Sequence, residues 1–276
     1  MFQAGPIAVR WYGVLMALSV GIGAYLAYRQ AQETGVSEDD VLTVIPLAVI
    51  LGLIGARIGY VVTNWGYYAA SPGEIIATWH GGLSFHGAII GGIVAILLYA
   101  RYSKIKFYRF ADMFVPGVAV GIILVRIANL INGESMGRTF GSSMTAHPTQ
   151  IYGSLIGVVL LIIALRQQTR RHLSGYIFWS FVLWYSVLRA VVEETFRDNP
   201  LYLWGYVNPT LGIGLFTLTQ IVSVPLIILA ASMVRRIAQR ERAGALTGGP
   251  AVQPAGGPLA GPEGPTGPTG PEGDRA

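Results

Sequence analysis

Seven times along this chain an apolar run recurs at close to the length needed to cross a hydrocarbon core, which takes about 20 helical residues for roughly 30 Å. The runs are Ile7–Tyr28, Val44–Val62, Leu83–Tyr99, Phe110–Ile131, Ile151–Leu165, Gly175–Val192 and Leu211–Val234, the fifth being the weakest because it is short. Lipid offers the backbone no hydrogen-bond partners, and the runs are too long and uniform for barrel strands, so each is expected to be a helix. A soluble fold is excluded on the same grounds. Residues of the AVILMFWYC set make up 53% of the chain and charged residues 12%, more apolar surface than a water-soluble domain of this length can cover. The expected fold class is therefore an all-α integral membrane protein of seven transmembrane helices.

Cations set the expected orientation. Arg29, Arg101, Lys104, Lys106, Arg109, Arg166, Arg170, Arg171, Arg235, Arg236, Arg240 and Arg242 fall on one side of such a bundle, against Arg10, Arg138 and Arg197 on the other. The positive-inside rule makes the richer side cytoplasmic, with the N-terminus outside and the C-terminus inside. The first run is too long for a secretory signal and no cleavage site follows it, so it is expected to be a retained helix. The chain has no cysteine, which excludes disulfides, thiolate metal sites and a cysteine nucleophile. Residues 1–243 are expected to form one transmembrane domain. Residues 244–276 are rich in Gly and Pro and end in five glycines at a period of three; too short for a collagen helix, they read as a disordered cytoplasmic tail.

Three arginines, Arg57, Arg126 and Arg189, fall inside the runs. A cation at the centre of a bilayer costs at least about 2.5 kcal/mol, so such residues are retained for a reason. For Arg57 snorkelling or a structural pairing is as good a reason as a site. Arg126 and Arg189 lie toward the outer ends of their runs and have polar residues at helical spacing: Asn129 three after Arg126, and Glu193 four after Arg189, in position to hold that arginine. Two cations with polar helpers in one outward-facing layer call for an anion. His80 and His86 lie at the same expected depth, in HGGLSFHGAIIGG (His80 to Gly92). A neutral imidazole in a half-dry mouth can take a proton near neutral pH, although a histidine there also serves as a hydrogen-bonded structural residue. Gly87 and Gly91, like Ala88 and Gly92, are four apart and form a stripe for close approach of another helix or of a ligand, so this wall is also a candidate lipid gate.

Six stretches converge on a family. RWYG (Arg10 to Gly13), GARIGYV (Gly55 to Val61), HGGLSFHG (His80 to Gly87), RIANLINGESMGR (Arg126 to Arg138), HPTQIYG (His147 to Gly153) and RAVVE (Arg189 to Glu193) resemble, in order, the signatures of bacterial phosphatidylglycerol:prolipoprotein diacylglyceryl transferases. The resemblance implies a multi-pass enzyme of the bacterial plasma (inner) membrane with its active site toward the outer face. Such an enzyme moves a diacylglyceryl group from phosphatidylglycerol to the lipobox cysteine in the signal peptide of a prolipoprotein; no cofactor, metal or nucleic acid is implied. By matching position it makes His86 the essential histidine and Arg126 and Arg189 the arginines of headgroup binding and catalysis. Tyr12, Asn129, Glu134, Gly137 and Glu193 match further functional positions. Two departures stand out: Gly153 replaces the usual Glu, and the spacing from Glu193 to Arg197 is one residue longer than usual.

Other functions fit less well. Lipoprotein N-acyl transfer needs a cysteine nucleophile, and signal-peptide cleavage needs paired aspartates, whereas only Asp198 lies on the expected outer side. A metal-dependent hydrolase built on His80, His86 and His147 lacks metal-ligand spacing. A non-enzymatic anion channel or transporter would also use arginines within a bundle and is the alternative from a different class.

Overall fold

A computed structural model describes residues 2–4, 7–9, 11–34, 36–78, 81–140, 146–170, 172–198 and 202–246. Two short strands, β1 (Phe2–Ala4) and β2 (Ile7–Val9), pair antiparallel. Helices α1 (Trp11–Thr34) and α2 (Glu38–Thr63) follow, then the single turn α3 (Trp65–Ala70) and a tighter turn over Pro72–Ile76. Helices α4 (Phe85–Ser103), α5 (Phe107–Asn132) and α6 (Thr149–Gln168) come next. Helix α7 (Tyr176–Leu188) opens into a wide turn with i→i+5 bonding over Arg189–Glu193 and ends in the short α8 (Glu194–Phe196). Strands β3 (Tyr202–Asn208) and β4 (Ile213–Thr217) form an antiparallel hairpin before α9 (Leu218–Leu246).

Seven of these segments are long and apolar enough to cross a membrane, including the weak fifth run, now a 20-residue helix. Their alternation gives the bundle a basic end, carrying Arg101, Lys104, Arg166 and Arg240, and an opposite end where Tyr12, His86 and the connections after α5 and α7 gather. Large side chains such as Ile58, Val62, Ile90 and Ile228 are exposed on the helix flanks, as a lipid-facing surface requires.

In two spans a strand occupies the start of the apolar run. Ile7–Val9 is strand β2, so the first helix starts at Trp11. Ile213–Thr217 is strand β4, so the last helix starts at Leu218, where Thr217 and Gln220 cap it reciprocally: the Gln220 N–H donates to Thr217 Oγ1 and the Thr217 N–H to Gln220 Oε1, a helix-start device that apolarity does not register. Helix α9 continues to Leu246, past the expected domain edge at residue 243. The Gly/Pro-rich segment from 247 onward lies outside the described residues, as does His80.

Small residues mark the closest helix crossings, because in lipid helix association rests on backbone approach rather than on apolar burial. A Cβ on Gly87 would collide with the Gly55 carbonyl, and one on Gly91 with the Leu51 carbonyl. The Gly87/Gly91 line of the stripe is thus filled by α2, whereas a Cβ at Gly92 would meet open space. This corrects the candidate gate: the Gly87/Gly91 wall faces a helix and has no room for lipid. Helices α1 and α5 meet the same way at Gly23 and Gly117. Replacing Gly91 by leucine is expected to drive α2 and α4 apart and lower the thermal unfolding midpoint in detergent by at least several degrees, a change of about 1–3 kcal/mol being typical of overpacking.

Candidate active site

Arg57, the first of the three arginines within the spans, is a structural clasp. It is buried near the end of α2, and all five of its N–H donors meet backbone carbonyls at 2.5–3.2 Å: Nε to Ile75, Nη1 to Gly81 and Gly82, Nη2 to Glu74 and Ala77. The cation gathers the loop after α3 and fixes the start of α4. Ser84 N–H adds a bond to the Ala56 carbonyl, and the Ser84 hydroxyl caps α4 by accepting from Gly87 N. His86 rides in the first turn of that helix with its side chain exposed.

Arg126 and Arg189 belong to a different constellation, built on α5 and the end of α7. Arg126, buried nearly two turns before the end of α5, donates from Nη2 to Glu193 Oε1 in a buried ion pair. The same oxygen lies 3.7 Å from Arg197 Nη1. Arg189 donates to Tyr185 Oη at 2.8 Å and lies over that ring, while Glu193 and Glu194 both attract it. Helical spacing pointed to an Arg189–Glu193 contact, but the structure gives Glu193 to Arg126. The partner comes from another helix: α5 packs beside the end of α7 and brings Arg126 to the carboxylate.

Electrostatics at this end are cationic. Three guanidinium groups, Arg126 buried and Arg189 and Arg197 half-buried, face two buried carboxylates, Glu193 at 2% exposure and Glu194 at 0%. Burial, reinforced by the repulsion of Arg126 and Arg189, pulls Arg197 below its ordinary pKa, against the attraction of Glu193 and Glu194. A cluster in which guanidinium groups outnumber carboxylates is stabilised by an anion that brings its charge into the layer.

Other residues complete the wall. Tyr12, in the first turn of α1, lies within the electrostatic reach of both Glu134 and Arg126. Glu134 is exposed on the loop after α5, and its backbone N–H donates to the carbonyl of buried Asn129. That loop is held from α6: Thr149 Oγ1 donates to the Ser135 carbonyl and Gln150 Nε2 to the Glu134 carbonyl. At Gly137 the backbone runs between two others, where a Cβ would come within 2.7 Å of the carbonyl oxygens of His147 and Phe196. His147 itself is bound to Leu211 O and Tyr152 Oη, so it acts as a strut between loops.

The structure therefore joins Arg126, Arg189, Glu193, Asn129, Tyr12, Glu134 and Gly137 at one end of the bundle, and sets His86 at that same end on a neighbouring helix. Three contributors were missed by the spacing argument. Tyr185 is one helical turn before Arg189 and was findable. Glu194 was hidden because a fully buried carboxylate looks like any other in sequence. Arg197 stands one residue further from Glu193 than is usual, yet the Gly137–Arg197 bridge and the Arg197 N–H bond to the Glu193 carbonyl bring it in.

Gly153 also acquires a reason. A Cβ there would lie 2.6 Å from Arg126 Nε and 2.9 Å from its Cδ, so glycine is the residue that leaves the arginine its path along α6. Gly153→Ala is expected to displace Arg126 and cut turnover about tenfold or more while leaving the fold intact; activity per folded molecule, with circular dichroism as control, checks it.

Known proteins resemble this chain in sequence over most of its length. The family model described as "Prolipoprotein diacylglyceryl transferase" matches residues 1–236. The phosphatidylglycerol–prolipoprotein diacylglyceryl transferase of Thermus thermophilus is 42% identical over 275 residues, covering 87% of this chain and 99% of the relative. The enzyme of that name from Thermoanaerobacter sp. is 41% identical over 237 residues, 86% of this chain and 92% of its own. That of Deinococcus radiodurans is 36% identical over 290 residues, 87% and 85% respectively. A seven-span bundle with a cationic layer at one end, matched nearly end to end by these relatives, places the chain in the prolipoprotein diacylglyceryl transferase family of membrane transferases.

Proposed function

We propose that the chain transfers the sn-1,2-diacylglyceryl group of phosphatidylglycerol to the lipobox cysteine of a prolipoprotein, at the outer face of the bacterial plasma membrane. The observation that carries this reading is the excess of guanidinium groups gathered at one end of the bundle. A phosphodiester headgroup is a single anion whose tails can stay in lipid, which suits a cationic layer recessed just below the bundle end. The cation asymmetry between the two ends supports an outer location for this layer.

The chemistry follows from the bonds that change. The cysteine sulfur attacks C3 of the diacylglyceryl moiety, the C3–O bond to phosphate breaks, and glycerol 1-phosphate leaves with the bonding pair. The thiol must lose its proton and the phosphate gains a second negative charge. Arg126 and Arg189 stabilise that charge, which is larger in the transition state than in the bound lipid and so lowers the barrier. Glu193 holds Arg126 in position. Tyr12 and Asn129 orient the headgroup, Glu134 lines the exposed rim, and Gly137 lets the loop carrying it close against the end of α8. His86, exposed at the mouth, takes the thiol proton.

Two experiments test this. Purified protein incubated with phosphatidylglycerol and a synthetic lipobox peptide is expected to yield a peptide carrying one diacylglyceryl group by mass spectrometry. Anion flux through liposomes without any adduct would instead favour a channel. For the base, His86→Gln is expected to lose about 10²–10⁴-fold in turnover and the acid limb of its pH profile. An unchanged acid limb would leave His86 with headgroup orientation alone.

A further inference from the structure

The wide turn that delivers Glu193 to Arg126 is held from outside its own helix. Passing from i→i+4 to i→i+5 bonding leaves a helix one backbone bond short, and in an interior the orphaned carbonyl needs another donor. Gln220, in the first turn of α9, supplies one: its Nε2 donates to the Ala190 carbonyl at 3.0 Å, inside the turn, and reaches Thr195 Oγ1 at 3.4 Å just beyond it. Its Oε1 accepts from Thr217 N–H at 3.1 Å. The amide has one possible orientation here, because a carbonyl can only accept and a backbone N–H can only donate.

We propose that Gln220 is a positioning residue for the transfer reaction: its side-chain amide bolts α9 to the wide turn and so fixes the register in which Arg189 faces Tyr185 while Glu193 reaches Arg126. This rests on the function proposed above. If the turn relaxed to regular α-helix, each residue would advance further around the axis, and Glu193 would swing off its line to Arg126, which would lose its buried carboxylate.

Gln220 has a second job, capping α9 with Thr217, and the two are separable. Gln220→Glu retains the acceptor for Thr217 N–H but has no donor for the Ala190 carbonyl. Thr217→Val removes the hydroxyl that accepts from Gln220 N–H and leaves the Ala190 bond alone. With wild-type protein giving the diacylglyceryl adduct, Gln220→Glu is expected to lose about ten- to hundredfold in kcat with KM for phosphatidylglycerol within about twofold, since the cations that bind the ground state remain. Thr217→Val is expected to lower the unfolding midpoint and keep kcat. Wild-type kcat in Gln220→Glu, or parallel losses of kcat and midpoint in both variants, would overturn the positioning role. Absence of adduct from the wild-type protein would instead overturn the proposed function.

Discussion

Arg126→Lys is expected to lower turnover by about two orders of magnitude or more although the charge is kept. Removal of one well-placed donor to a developing anion commonly costs about 10²–10³ in kcat, and here the substitution has two effects at once. A lysine on the same stem presents a point charge where arginine presents a planar fork, so it cannot hold a carboxylate on one side and offer further donors to phosphate on the other. Glu193, at 2% exposure, would then be poorly neutralised, and Arg197, 3.7 Å away, would be drawn toward it and out of the layer. Steady-state rates with phosphatidylglycerol and lipobox peptide measure the loss. The adjacent prediction is directional: Glu193→Gln should impair turnover as well, because Arg126 loses its anchor even as the site gains net positive charge. Full activity in Arg126→Lys would show that fork geometry is irrelevant and that only charge matters.

Arg57→Leu is expected to be the most damaging substitution for the fold. Hydrogen bonds to a charged group contribute about 1.5–3 kcal/mol each, and five share this guanidinium. They are not additive, but a total of about 3 kcal/mol or more is a conservative expectation, enough to shift the unfolding midpoint by several degrees. Differential scanning fluorimetry in detergent would register it. The loop so released leads into α4, so turnover should fall as well. Arg57→Lys separates the two aspects: three donors at the end of a flexible stem recover part of the stability but not the arrangement of five carbonyls around a plane. A midpoint and turnover equal to wild type in Arg57→Leu would mean that the clasp is dispensable.

The spans were legible because a bilayer imposes one length and one polarity on every crossing, and the runs around Val44, Phe110 and Ile151 carry that imprint directly. Their ends were less so. Ile7–Val9 and Ile213–Thr217 are as apolar as the helices they adjoin, and only strand pairing and the Thr217–Gln220 cap distinguish them. At the site, the cost of burying charge singled out Arg126 and Arg189 but could not name their partners, because the carboxylate that holds Arg126 comes from another helix, 67 residues on in the chain. Arg57 obeyed the same cost argument and turned out to be neutralised by backbone dipoles; nothing in an isolated arginine tells carbonyl partners from a ligand. The stripe at Gly87 and Gly91 signalled close approach, and the α2 backbone at Gly55 identifies what approaches.

That contact has a mechanical consequence. Two helices that touch through main chain rather than through side chains have no rotamers to rearrange at the crossing, so sliding or splaying them needs the whole backbone to yield. The α2–α4 pair should therefore travel as a single stiff plank during any breathing of the bundle. Because Arg57 and Ala56 tether the lead-in of α4 to that plank, the imidazole of His86 would ride with it, and lateral passage of a lipid would have to use a seam elsewhere in the ring of helices.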